Sequence, residues 1–292
     1  MVICFAEKPY RITKSFLPIP GGKWYLSHYL LKMIPPHEVY VEVFGGGAVL
    51  LLRKPPSPAE VYNDIDGDLV NLFRMVRDEE KFRQFNELVY WTLYSREEFN
   101  LAREKLKKRE ELSDVERAYY FFLTIQQSFG GKGAPWGYRV KSLKNLAKTW
   151  FNRKKILGAI HQRLANVQIE HDDFRNIIRR YDTPETFFYL DPPYYPGTYS
   201  THTLKSSLSE KDYEDLFNLL LGIKGKALLS GYYHPAYKVL EDAGWKRIDI
   251  KRKITLLNTN KTGGWMPNKV ESLWFNYELP QVKEVIESEN QI

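Results

Sequence analysis

Short β-branched and aromatic runs alternate with amphipathic stretches along most of this chain. That alternation predicts a sheet of mainly parallel strands joined by helices. Seven runs read as strands: Val39–Phe44, Glu60–Ile65, Val167–His171, Thr186–Leu190, Lys226–Ser230, Arg247–Ile254 and Glu271–Tyr277. Several end at a turn carrying Gly, Asp or Pro, and strand C-termini are where open α/β sheets hold their ligands. The spacing is uneven, because two strands precede residue 66 and the third begins only after about residue 165. Between them Leu69–Tyr90 has apolar residues at helical spacing, Glu97–Leu112 reads as a charged helix, and Val115–Ile125 is apolar and aromatic. The expected fold class is α/β: a Rossmann-like sheet domain, discontinuous over residues 1–66 and 165–292, with a mainly helical subdomain inserted at residues 67–164. A hairpin is expected near residues 129–140. The tail after Leu279 is polar and acidic and is expected to fray.

Composition narrows the partners. Of 292 residues, 43 are Lys or Arg and 36 are Asp or Glu, a net charge of +7 that favours a polyanionic partner such as nucleic acid. Twenty tyrosines contribute to an aromatic content of 15%, which suits a protein that stacks on bases. Cys4 is the only cysteine, so an intrachain disulfide and a Cys-rich zinc site are both excluded, and a reducing cytoplasm is the expected compartment. The six histidines do not fall at metal-ligand spacing, and no metal is expected. No run of ~18 apolar residues occurs, so no transmembrane span is expected either.

Candidate chemistry is densest at Asp191-Pro192-Pro193-Tyr194, which follows the apolar strand Thr186–Leu190. A plain reading is a strand stopped by prolines, which cannot donate to a ladder. A chemical reading uses the same stiffness. The Asp191 carboxylate accepts one hydrogen of an exocyclic amine, the Pro192 carbonyl accepts the other, and Tyr194 offers a face on which a base stacks. Two acceptors restore electron density to an amine nitrogen whose lone pair is delocalised into a ring. A second element is Tyr40–Val49, a strand running through Gly45, Gly46 and Gly47 into an apolar helix. It is not the Gly-x-Gly-x-x-Gly of a dinucleotide loop. Asp64 follows at the end of the next strand, where an acid can accept hydrogen bonds from ribose hydroxyls. A tight turn with a helix-capping Asp is the alternative.

The order Gly-Gly-Lys, Glu-x-Phe-Gly-x-Gly, Asn-Asp-Ile-Asp, Asp-Asp-Phe and Asp-Pro-Pro-Tyr resembles the Dam-type, or alpha-group, DNA adenine N6-methyltransferases from about Phe16 to Leu279. The resemblance implies a methyltransferase sheet that binds S-adenosyl-L-methionine and transfers its methyl group to the N6 amine of a flipped adenine in double-stranded DNA. It implies catalysis by Asp191, Pro192, Pro193 and Tyr194. Gly21, Gly22 and Lys23 match the motif beside the methionine end of the cofactor, and Glu42, Phe44, Gly45 and Gly47 match the glycine motif. Asp64 matches the ribose-binding acid, and Asp173 with Phe174 the pair that brackets the cofactor's adenine. Glu271–Trp274 looks like the family's last strand, after a Gly263-Gly264 loop. A prokaryotic or phage-encoded cytoplasmic enzyme is implied, with a cognate restriction endonuclease as a possible partner. Cytosine N4, RNA adenine and protein glutamine are the alternative acceptors; in those relatives the tetrapeptide usually begins with Ser or Asn rather than Asp. A catalytically silent DNA-binding relative is a further alternative.

From Arg117 through Ile169 there is no Asp or Glu, while ten Lys or Arg fall in the same stretch. Such a run predicts a focused positive field for phosphates. Within it, Phe129–Val140 has the glycines and the Pro-Trp-Gly step of an excursion that could enter a groove. Lys132, Trp136, Tyr138, Arg139 and Lys141 are the candidate contacts there, with Lys154 and Lys155 farther on. A basic helical region whose loop packs its own Trp is the competing reading.

Overall fold

The computed structural model describes residues 12, 14–138, 145–198, 207–251 and 270–280. Its elements follow in chain order. First come α1 (Ser27–Met33), β1 (Val39–Glu42), α2 (Val49–Arg53) and β2 (Ala59–Asn63). A helical run follows: α3 (Gly67–Arg77), α4 (Glu79–Trp91), α5 (Arg96–Lys107), α6 (Asp114–Gln127), α7 (Leu146–Lys154) and α8 (Leu157–Leu164). The remainder is β3 (Val167–Glu170), α9 (Phe174–Tyr181), β4 (Thr186–Leu190), α10 (Glu210–Leu221), β5 (Lys226–Gly231), α11 (Lys238–Asp242), β6 (Lys246–Lys251) and β7 (Val270–Phe275). All seven expected strands are present, within a few residues of their expected limits. The expected extension of the sixth strand to Ile254 and the Gly263-Gly264 loop lie outside the described residues. The seven-stranded sheet has the order β3-β2-β1-β4-β5-β7-β6.

The chain forms two compact units, Met1–Leu31 with Gly45–His171, and Lys32–Phe44 with Asp172–Ile292. In the first, β2 and β3 pair in parallel, and among the described residues six α-helices lie between them in the chain. The helical spacing of Leu69–Tyr90 is carried by two helices, because Asp78 ends α3 and caps α4, its Oδ1 accepting from Lys81 N at 2.9 Å. The apolar period continues across the break, so the pattern alone did not reveal it. A capping box, Ser113 with Glu116, starts α6, whose Phe122 stacks on Phe16 at 5.6 Å in a core with Phe73, Phe85 and Phe99. A buried charge cluster seals one side: Glu60 pairs with Lys54 and with Arg163, whose Nη2 lies 2.7 Å from Oε1. Burial alone would raise the Glu60 pKa, but those two cations hold it below the ordinary range.

In the second unit β1, β4 and β5 run parallel, while β7 pairs antiparallel with both β5 and β6. All five residues of β4 are buried, as expected of a strand covered on both faces. Phe187 of this strand, Tyr213, Tyr237 and Trp274 are all buried, the last two stacked at 4.1 Å. Strand order reverses between β1 and β4, so this unit contains the switch point at which open sheets bind ligands.

Candidate active site

In the first unit, the glycine turn enters α2. Gly45 N donates to Asn63 O at 2.7 Å, and a Cβ on Gly45 would sit 2.2 Å from the Tyr62 ring. No side chain fits there. Gly46 adopts φ +48 and Ala48 φ +51, so the turn is left-handed twice over. Asp64 fastens it: Oδ2 accepts from Gly46 N at 2.7 Å and Oδ1 from Asp66 N at 2.8 Å. Burial pushes the Asp64 carboxyl above its usual pKa, although these two donors pull the other way. Asp66 takes the helix-capping role instead, accepting from Asp68 N at the start of α3. Gly21 has φ +82 and Gly22 N donates to Ile19 O at 3.3 Å. Lys23 is buried, with Nζ 3.3 Å from Gly21 O. A Cβ on Gly47 would stand 3.3 Å from Leu17 O, which brings the segment before Gly21 against the turn.

In the second unit, the ends of β1 and β4 lie side by side, with Glu42 opposite Tyr189 and Val43 N donating to Tyr189 O at 3.1 Å. Glu42 is buried and accepts from Tyr40 OH at 3.1 Å. Asp191 is the first residue past β4, and its Oδ1 accepts from Ser230 Oγ at 2.9 Å. Pro192 is buried, and the Pro193 carbonyl accepts from Tyr213 OH on α10. Tyr194 stacks on Tyr232 at 4.2 Å with 19° between planes, and Tyr195 stacks on His234 at 4.1 Å. The tetrapeptide is thus held by β5, α10 and the segment after β5. Asp173 caps α9 by accepting from Arg175 N at 2.8 Å. Arg175 also pairs with Asp212 and with Asp215 at 2.9 Å, and lies 4.4 Å over the Phe174 ring. Its guanidinium holds the Asp212 carboxyl down at about 2. Phe174 is buried against Phe44 at 5.5 Å.

Ser230, Tyr232, Tyr213 and Arg175 were not anticipated. Strand register pairs Leu190 with Leu229, so Ser230 falls beside Asp191 only once the pairing is known. Nothing local in the sequence marks it.

The helical region of the first unit supplies the basic residues. The excursion after α6 is drawn together by Gly137 N to Gln127 O at 2.7 Å, Phe129 N to Pro135 O at 2.8 Å and one antiparallel bridge between Ser128 and Trp136. Lys132 and Tyr138 are exposed and Trp136 is half-buried. Arg139 and Lys141 lie outside the described residues. Several cations of the acid-free run face inward. Arg117 pairs with Asp68 at 2.7 Å, Arg163 with Glu60, and Arg153 donates to Ser15 O at 3.1 Å. Lys154 Nζ donates to Tyr90 O at 2.7 Å and to Thr92 O, closing the C-terminal end of α4, and burial lowers its pKa. Lys155 is exposed, with Nζ 4.5 Å above the Phe151 ring.

A strand-end carboxylate beside stacked aromatic rings, in a unit holding the sheet's switch point, has the form of a transferase site for a flat, amine-bearing ring. The class can be made specific. A family profile described as D12 class N6 adenine-specific DNA methyltransferase matches residues 20–254, and the chain belongs to that family. The Type II methyltransferase M.MjaIII of Methanocaldococcus jannaschii is 27% identical over an alignment covering 86% of this chain and 96% of the relative. The protein is a site-specific adenine DNA methyltransferase that uses a methyl donor and a DNA substrate. Its mixed seven-stranded sheet is consistent with a methyltransferase fold. Among the described residues no helix is long and apolar enough to cross a membrane.

Proposed function

We propose that the donor is S-adenosyl-L-methionine and the acceptor is the N6 amine of an adenine flipped out of double-stranded DNA. The observation that carries the acceptor side is Asp191, set at the end of β4 and fixed by Ser230 Oγ. Its carboxylate accepts one amine hydrogen and the Pro192 carbonyl accepts the other, so electron density returns to N6. As N6 takes the methyl group the donor's carbon–sulfur bond breaks, and the proton that N6 gives up leaves through the Asp191 carboxylate. Tyr194, braced by Tyr232, stacks on the extruded base and compensates part of the cost of unstacking it.

The donor set suits a nucleoside. The Asp64 carboxylate, beyond its backbone bonds, takes the ribose hydroxyls. Phe44 and Phe174 form an apolar pair for a purine, and Asp173 is the neighbouring acceptor for its amine. Gly21, Gly22, Lys23, Glu42, Gly45 and Gly47 shape the methionine end. Bound there, S-adenosyl-L-methionine supplies an electrophilic methyl group. The 67–164 helical region reads the target, with Lys132, Trp136, Tyr138, Arg139, Lys141 and Lys155 toward DNA and Lys154 supporting them. The protein works in a prokaryotic or viral cytoplasm, and the relative's type II name supports a cognate endonuclease as partner. Incubation with methyl-labelled S-adenosyl-L-methionine and separate DNA, RNA and protein acceptors tests the reading. Label is expected in DNA as N6-methyladenine; label confined to cytosine, RNA or protein overturns it.

A further inference from the structure

Arg96 stands outside the acid-free run and opens α5, between Ser95 and the acids Glu97 and Glu98. A cation in the first turn of a helix is repelled by the helix dipole, so local structure does not favour it there. Two adjacent carboxylates are also passed over: among the described residues Arg96 forms no ion pair. Its guanidinium lies instead over two rings of the excursion, 4.6 Å from the centroid of Trp136 and 5.6 Å from that of Tyr138. Those rings are within 15° of parallel, and together they hold the guanidinium of the exposed Arg96 in one place.

The junction that carries Arg96 is fastened to the same excursion. Tyr94 OH donates to Gly137 O at 2.6 Å, Ser95 N donates to Gln127 Oε1 at 3.2 Å, and Gln127 Nε2 donates to Leu93 O at 2.8 Å. The arginine and the loop are therefore one piece. Tyr138 and Phe129 are 60% and 61% exposed, and Lys132 is also exposed, so the piece presents aromatic and cationic groups together. A guanidinium held over its rings before binding loses less freedom when it makes two parallel hydrogen bonds. Guanine O6 and N7 in the major groove form the acceptor pair that matches such a fork.

We propose that Arg96 is a specificity-determining residue that reads a guanine edge in the target, using Trp136 and Tyr138 as its platform. This rests on the reading of the 67–164 region as the target-reading part. The experiment first finds the wild-type target by mapping N6-methyladenine in DNA from a methylation-free host. Binding and kcat/KM are then measured on a duplex carrying that target and on duplexes with single base pairs changed, for wild type, Arg96→Lys and Arg96→Met. Arg96→Lys keeps the charge but loses the fork. It is expected to lower discrimination at one G·C pair by roughly ten- to a hundredfold, with the melting temperature and the salt dependence of binding nearly unchanged. Equal weakening on every duplex, with the salt slope of Arg96→Met reduced by about one, would make Arg96 a phosphate contact and overturn the proposal. A lowered melting temperature with discrimination intact would make it only a staple for the loop, and would overturn it equally. If wild type methylates no adenine in DNA, the functional reading itself fails; if it does and Arg96→Lys discriminates normally, only this inference fails.

Discussion

The Asp191–Tyr194 corner and the basic helical region both stand out in the sequence, but they translate into three dimensions very differently. The corner is four consecutive residues leaving one strand, and two of them are prolines. Its local geometry is nearly closed before any tertiary contact forms. Ser230, Tyr213 and Tyr232 then fix it further. The run from Arg117 to Ile169 spreads over α6, α7, α8 and the excursion between α6 and α7, and helices turn successive side chains about 100° apart. Arg117, Arg153, Lys154 and Arg163 consequently meet a carboxylate or a carbonyl rather than water. A compact motif keeps its meaning on folding, whereas a charge run has to be sorted residue by residue.

The largest expected effect lies at the corner. Asp191→Ala should cut kcat by ~10²-fold or more while the Kd of S-adenosylhomocysteine stays nearly constant. Single-turnover transfer to target DNA and calorimetric titration measure the two sides. A retained rate above a tenth of wild type would remove Asp191 from the chemistry and leave the corner as a strand stop.

Next is Asp64, which carries features of both regions, being a motif residue that also performs a structural task. Asp64→Ala should weaken S-adenosylhomocysteine by roughly tenfold or more, through lost ribose bonds and a loosened Gly46. Asp64→Asn separates the contributions: an amide can keep one acceptor for Gly46 but cannot accept at both positions. If Asn binds the ligand like wild type while Ala does not, the carboxylate matters only for the turn.

The smallest effect sharpens the basic side. Lys155→Ala should lower affinity for all duplexes alike and reduce the salt slope by about one, with stability unchanged. Lys154→Ala should do the opposite, costing about 1–2 kcal/mol of stability as the α4 end loses its donor, with little change in salt slope. Identical outcomes for the two lysines would dissolve the distinction between inward and outward cations.

Much of the sheet was legible because the strands are short runs, most of them β-branched or aromatic, and several are stopped by Gly, Asp or Pro. Thr186–Leu190, stopped by Asp191, is a good example. The break at Asp78 was not, since apolar spacing passes through it and only the cap interrupts it. Within the site, motif residues were legible and their supports were not. Arg175 reaches Asp212 and Asp215 across some forty positions, and Arg96 reaches Trp136 and Tyr138 across a similar span. Periodicity carries no information about such pairings; they follow from which helix ends meet.

Gly131 has a consequence of another kind. A Cβ there would fall 1.8 Å from Pro18 O, at φ +72, so the excursion is moored by backbone passing backbone. Gln126 strengthens the mooring by donating Nε2 to Phe16 O at 2.7 Å. The side chains of Phe129, Lys132 and Tyr138 on either side of Gly131 are exposed and take no part in the mooring. The loop is therefore modular: its outer face can be rewritten without loosening its root. If the loop reads the target as proposed, a new target sequence can be acquired by surface substitutions alone, provided position 131 remains a glycine.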